Sequence, residues 1–217
     1  MTTQKYVNEI ISSDGVIVTY IIDLSDNPLI YGDKDKLTDK VRKAAESFEN
    51  KRYQAPIEYA RLIETNGKVL QDAVGDAKVV KTKSKYWLKA MAFTHVHPRE
   101  QGMLGGTFST GDFEPFVKYG IRTIRATTKE GTYSLTKGKK FDGKGLKNYY
   151  ALKCLSASLT AQGRVFLINK AYRNGEISYA EYLVAYNKHT NSMFIEMHEA
   201  LLEGQELYGY TYTLERR

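Results

Sequence analysis

The sequence predicts an α/β fold, strands flanked by helices with a helical extension at the C-terminal end, on three observations. Short apolar or β-branched runs alternate with segments of helical period up to about residue 135. Asn66-Gly67 sits between two apolar runs, the strongest short hairpin signal. Two long stretches of helical period, 146–172 and 178–202, then follow with a helix stop, Arg173-Asn174-Gly175, between them.

The elements follow in order. Residues 15–23 are β-branched and apolar, a strand, and 34–52 form a polar helix whose stripe Leu37, Val41, Ala44, Ala45 and Phe48 faces a core. Residues 57–70 read as strand, tight turn, strand. An apolar run, 87–93, leads into His95-Val96-His97, and Pro98 ends that strand. Ser109-x-x-Asp112 starts a helix, with Ser109 as cap and Asp112 in the positive first turn. Residues 119–127 and 129–135 read as helix end, strand, glycine turn and strand. The Gly- and Lys-rich segment 137–147 is a loop and a boundary. Ser178 and Glu181 form a capping box for the last long helix, and 208–214 alternates aromatic and small residues as a returning edge strand.

Composition narrows the class. At 217 residues, with 42% hydrophobic and 26% charged side chains, the chain is long enough for one full core and ordinary for a globular protein. No apolar run reaches the length of a membrane span and Met1-Thr2-Thr3-Gln4-Lys5 opens no signal peptide, so no membrane partner is expected. The expected location is the cytoplasm, or a virion assembled in the host cytoplasm if the chain is phage-encoded. Cys154 is the single cysteine and excludes an internal disulfide; it is expected to pack on a helix. The net charge of +7 is unevenly spread: residues 1–117 hold 16 basic and 16 acidic side chains, 118–173 hold 13 and 2, and 174–217 hold 3 and 7. The basic middle, with Lys137, Lys139, Lys140, Lys144 and Lys147, is either a solvated face or a contact for nucleic acid or an acidic surface.

The chemistry concentrates in one strand, loop and helix. Residues two apart in a strand project to the same side, so His95 and His97 can reach one ion, and Asp112 supplies a carboxylate from the helix start. Two imidazoles and a carboxylate make the three-ligand set of a catalytic zinc. A cupin would place a carboxylate near Glu100, but the chain lacks the succession of short strands such a barrel needs. His189 and His198, nine apart on the last helix, do not share a ligand spacing and are read as structural or exposed.

His-x-His-Pro, a glycine-containing loop and then Phe-Ser-x-x-Asp resembles the JAB/MPN (JAMM) metallopeptidase signature, in its bacterial and phage variant, over about residues 55–135. The resemblance implies a mixed β-sheet flanked by helices with a JAB/MPN-like, cytidine-deaminase-like core. It implies zinc held by His95, His97 and Asp112, and Ser109 as a donor to the oxyanion. A glutamate from an earlier strand is the implied general base, Glu58 at the strand head being favoured over Glu64 beside the turn. The loop from His97 to Ser109 is longer than the family's usual spacing. The resulting division is a metal-binding core over 1–136, with the N-terminal strand and helix, and a basic loop, helical hairpin and returning strand over 137–217, packed on that core. The functional expectation is a zinc-dependent peptidase or isopeptidase acting on a protein or peptide. The alternative is a non-catalytic JAB-like binding or phage-virion-associated protein that contacts nucleic acid or a protein partner.

Overall fold

The computed structural model describes residues 5–11, 17–23, 37–98, 106–129 and 131–216. A six-stranded mixed sheet runs in the order β4 (Val69–Val74), β3 (Tyr59–Glu64), β5 (Ala90–Val96), β6 (Thr123–Thr127), β7 (Gly131–Lys137) and β8 (Tyr210–Arg216). Only β5 and β6 pair in parallel; the other neighbours are antiparallel. Parallel neighbours need a crossover, and the chain from His97 through α3 (Thr110–Lys118), the next helix after the short α2 (Ser84–Trp87), supplies it. A separate hairpin joins β1 (Lys5–Ile11) to β2 (Ile17–Asp23), so the strand expected over 15–23 is found, with 15 and 16 outside the described residues.

Helix α1 (Asp39–Arg52) covers one face of the sheet, and α3, α4 (Gly143–Arg173) and α5 (Tyr179–Glu203) lie on the other. Under α1, Leu37, Val41 and Ala45 meet Ile63 and Ala92. On the opposite face Phe93, Phe108, Phe113, Phe116, Ile124, Leu135, Tyr150 and Tyr212 form the main core, and the half-buried Cys154 packs against it from α4. Residues alternate between these faces, so Thr94 and Arg125 face α1 while His95 and Ala126 face the main core.

Several expected boundaries are corrected. Helix α1 starts at Asp39, because Thr38 caps it by accepting from the Val41 N–H, rather than at 34. The segment 137–147 is not one loop: β7 runs to Lys137 and α4 begins at Gly143, where the Asp142 side chain accepts from the Gly145 N–H. The glycine and lysine content there marks a five-residue turn and a helix start, not a long connection. The returning strand begins at Tyr210, since Gln205–Tyr208 form a short helical turn, α6, closed by Gly209 at φ 67°. The Asn66-Gly67 hairpin stands; Gly67 adopts φ 86°, and a Cβ there would lie 2.8 Å from the Lys40 carbonyl oxygen.

Candidate metal centre

β5 ends at Val96, but the His97 N–H still donates to the Thr127 carbonyl (3.0 Å), so His97 stays attached to the sheet one residue beyond the strand. His95 is buried and stacks on Phe93 at 4.9 Å between centroids. Its Nε2 lies 2.8 Å from His97 Nε2 and 3.3 Å from Asp112 Oδ1. Ligand atoms of His95, His97 and Asp112 all lie within 4.8 Å of one another, the one such group among the described residues.

The hydrogen bonds around the group orient its lone pairs. His97 Nδ1 donates to the Gly106 carbonyl (2.8 Å), which leaves Nε2 as the acceptor turned toward His95. His95 Nε2 therefore carries the proton that sits among His97 Nε2 and Asp112. Ser109 fixes Asp112 from the other side: its backbone N–H and its Oγ both donate to Oδ2, at 2.7 and 2.8 Å. Oδ1 is left toward the histidines. Two acceptors, His97 Nε2 and Asp112 Oδ1, thus converge on the proton of His95 Nε2, and a cation in that proton's place would meet three ligand atoms.

The electrostatics agree with that geometry. Burial pulls the His95 pKa down, but the Asp112 carboxylate and Glu58 outweigh it, and the net shift is upward. Burial and the charge on His95 hold His97 down at about 4, so it is neutral over the physiological range. Burial opposes ionisation of Asp112, yet His95, His97 and the Ser109 hydroxyl hold it well below the usual carboxylate range.

A metal fits this donor set. Two imidazole nitrogens on a tetrahedral zinc at about 2.0–2.1 Å stand about 3.3 Å apart. The rings, with Nε2 atoms at 2.8 Å, need part by only about half an ångström, which small side-chain rotations supply. The set also suits other borderline first-row ions, because nitrogen and carboxylate ligands do not select zinc alone.

Glu58 precedes β3 and extends its ladder with β4 by one residue: its N–H donates to Asp76 O (2.7 Å) and its carbonyl accepts from Gly75 N–H (2.8 Å). The β3–β5 register pairs Tyr59 with Val96, so Glu58 stands opposite His97 at the site. Its carboxyl lines a cleft of about 380 Å³ together with His97, Ser109 and Asp112. Burial raises its pKa, the charge on His95 works against that, and Asp112 adds to it. Glu64 pairs with Ala90 at the other end of β3 and does not line the cleft. The residues Val79, Val80, Trp87, Phe93 and Pro115 give the cleft an apolar wall, with Lys78 beside it.

The brace on this loop has no signature in the sequence. Tyr150 of α4 donates to the Phe108 carbonyl (2.7 Å), and Thr107 Oγ1 and Tyr212 Oη of β8 are 2.7 Å apart. Tyr212 Oη is also 2.7 Å from Nδ1 of His198, which is therefore buried and structural. Residues 106–109, which hold both the carbonyl that orients His97 and the serine that orients Asp112, are thus clamped by the C-terminal part of the chain. No local pattern signals this, since the partners lie up to 105 residues apart. Residues 99–105 of the long loop lie outside the described residues, as does Glu100. No helix among the described residues is long and apolar enough to cross a membrane. Comparison with protein-family models, with curated proteins and with solved structures gives no match for this chain.

Proposed function

We propose that this protein is a zinc-dependent peptidase or isopeptidase of JAB/MPN type that hydrolyses an amide bond in a protein or peptide. One observation carries the reading: His95, His97 and Asp112 present their ligand atoms within 4.8 Å of one another at the edge of a cleft that Glu58 also lines. When bound, zinc would polarise the amide carbonyl and make water more acidic. The chain's own residues do the rest. The carboxylate of Glu58 accepts the proton of the attacking water, and its raised pKa brings it closer to the working pH, where a general base is most effective. It then returns that proton to the leaving amine. Gly106 O keeps the His97 imidazole in one tautomer, and Ser109 keeps Asp112 from rotating. The Ser109 hydroxyl, exposed at the helix start, reaches the oxyanion only by releasing Asp112 Oδ2, to which its backbone N–H still donates.

Elemental analysis of protein purified without added metal tests the reading. The expected result is about one zinc per chain in the wild type and little in His97→Ala or Asp112→Asn. Equal metal content in all three would remove the centre, and iron or another ion in place of zinc would keep the site and reject the zinc assignment.

A further inference from the structure

Helix α4 is apolar on two opposite sides. Its inward side buries Leu146, Tyr150, Ala157 and Ala161, as its packing on the core requires. Its outward side carries Leu152, Leu155, Leu159 and Phe166, exposed at 69, 56, 58 and 68%. Spacings of three, four and seven place these four on one stripe about 21 Å long at 1.5 Å per residue. Single exposed leucines need no explanation, but a continuous stripe of large side chains does. Beside it, between α4 and α5, lies a hollow of about 350 Å³ lined by Ala161, Val165, Phe166, Tyr186 and Met193 among others, large enough for an anchoring side chain. A second hollow of about 220 Å³ shares Phe166 and Asn169 with the first and is bordered by Lys170 and Arg173.

The charges select the occupant. Within α4 there are six basic residues, Lys144, Lys147, Lys153, Arg164, Lys170 and Arg173, and no acidic one. Lys147 and Lys153 pair with Glu114 and Glu203, whereas Lys170 and Arg173 make no ion pair among the described residues. Pairing with a second copy sets cation against cation. Parallel stripes bring Arg173 beside Arg173, and antiparallel stripes centred on Leu159 bring Arg173 beside the Lys144 end of the partner. A lipid surface would cover the stripe without using the hollow between the helices. We propose that the outer face of α4, with its groove against α5, docks an amphipathic helix of another protein. That helix is about four turns long, places an apolar anchor in the hollow and carries carboxylates that face Lys170 and Arg173.

The test uses the full chain and a synthetic 18-residue amphipathic peptide with leucines at heptad a and d positions and flanking glutamates, alongside the same peptide with lysines in place of the glutamates. The acidic peptide is expected to bind at least about tenfold more tightly than the lysine peptide. Leu159→Asp should abolish binding, and Lys170→Glu with Arg173→Glu should remove most of the preference. All three positions are exposed, and circular dichroism should report an unchanged fold. Equal affinity for the two peptides, no binding of either, or full binding by Leu159→Asp would overturn the proposal. So would self-association in sedimentation velocity that Leu159→Asp abolishes, or binding to phosphatidylglycerol-containing vesicles without binding to the peptide.

Discussion

On the α1 side of the sheet, the Arg125 guanidinium donates to both oxygens of Glu49, at 2.7 and 3.0 Å, with neither side chain more than 1% exposed. Thr94 and Thr132 add hydroxyl donors to the same carboxylate, and Ser134 accepts from Arg125. On the other side, His95, His97 and Asp112 sit at a cleft, with Asp112 Oδ1 and two ring nitrogens turned toward one another. Both sides bury ionisable groups next to the same pair of strands, β5 and β6. On the first, each charge is answered by a fixed partner, and nothing is presented to a ligand. On the second, acceptors outnumber donors, and the surplus is what a cation would answer. A closed network rigidifies; an open one binds.

The largest effect expected from breaking this comparison is at the open side. Glu58→Gln should lower amide hydrolysis by about 10²–10⁴-fold while leaving the metal content unchanged, because the residue handles a proton and holds no ion. Assay of turnover and metal on the same sample checks both parts, and loss of metal would recast Glu58 as a ligand. Stability should move the other way. Burial raises the Glu58 pKa above its ordinary 4.5, so the folded chain holds that proton longer than the unfolded one. Above both values the buried carboxylate opposes folding, and below about pH 4.5 that cost is absent. In chelator-treated protein, Glu58→Gln should therefore be at least as stable as the wild type at pH 7, with the gap closing on acidification.

The closed side should respond with stability alone. Arg125→Met strands the Glu49 carboxylate in the interior and should cost about 3–5 kcal/mol in a urea titration. Adding Glu49→Gln removes the stranded charge and should recover most of that loss, with Thr94 and Thr132 still bonded to the amide. Metal content of the folded fraction should stay at the wild-type value, and a fall would show that the two faces are coupled.

The sequence made one of these faces much easier to read than the other. His95-x-His97 and Ser109-x-x-Asp112 are local patterns, and their consequences, a shared strand side and a helix start, follow from periodicity and capping alone. The Glu49–Arg125 pair spans 76 residues, and no spacing links them. The alternation in β6, Thr123-Ile124-Arg125-Ala126-Thr127, even points the wrong way: a polar row opposite an apolar one normally faces water, yet all five residues are buried. Glu58 was legible only through the resemblance, since the Asn66-Gly67 hairpin gives the strand but not which of its two glutamates lies at the site. The loop clamp by Tyr150 and Tyr212 was not legible at all, because it depends on β8 returning to β7.

That clamp supplies a smaller effect. Tyr212→Phe removes the hydroxyl that links Thr107 to His198 and loosens the segment carrying Gly106. Metal affinity measured by competition with a chelator should fall about tenfold, the low end for groups that orient ligands indirectly. An unchanged affinity would place the tyrosine in the core only.

The smallest expected effect sharpens what a closed network means. Thr123 and Thr136 face each other across β6 and β7 with hydroxyls 3.0 Å apart, both buried on the α1 side. Replacing either by valine keeps its shape but leaves the other hydroxyl without this partner, at a cost of about 1–3 kcal/mol. Replacing both removes donor and acceptor together, and the double variant should be within about 0.5 kcal/mol of the wild type. The cycle of four proteins gives the coupling directly. Strict additivity, with the double variant as weak as the two singles combined, would mean that each hydroxyl serves a separate partner and that this row is not closed as a pair. The same valine pair should leave metal content untouched, because its hydroxyls point away from the face that carries His95.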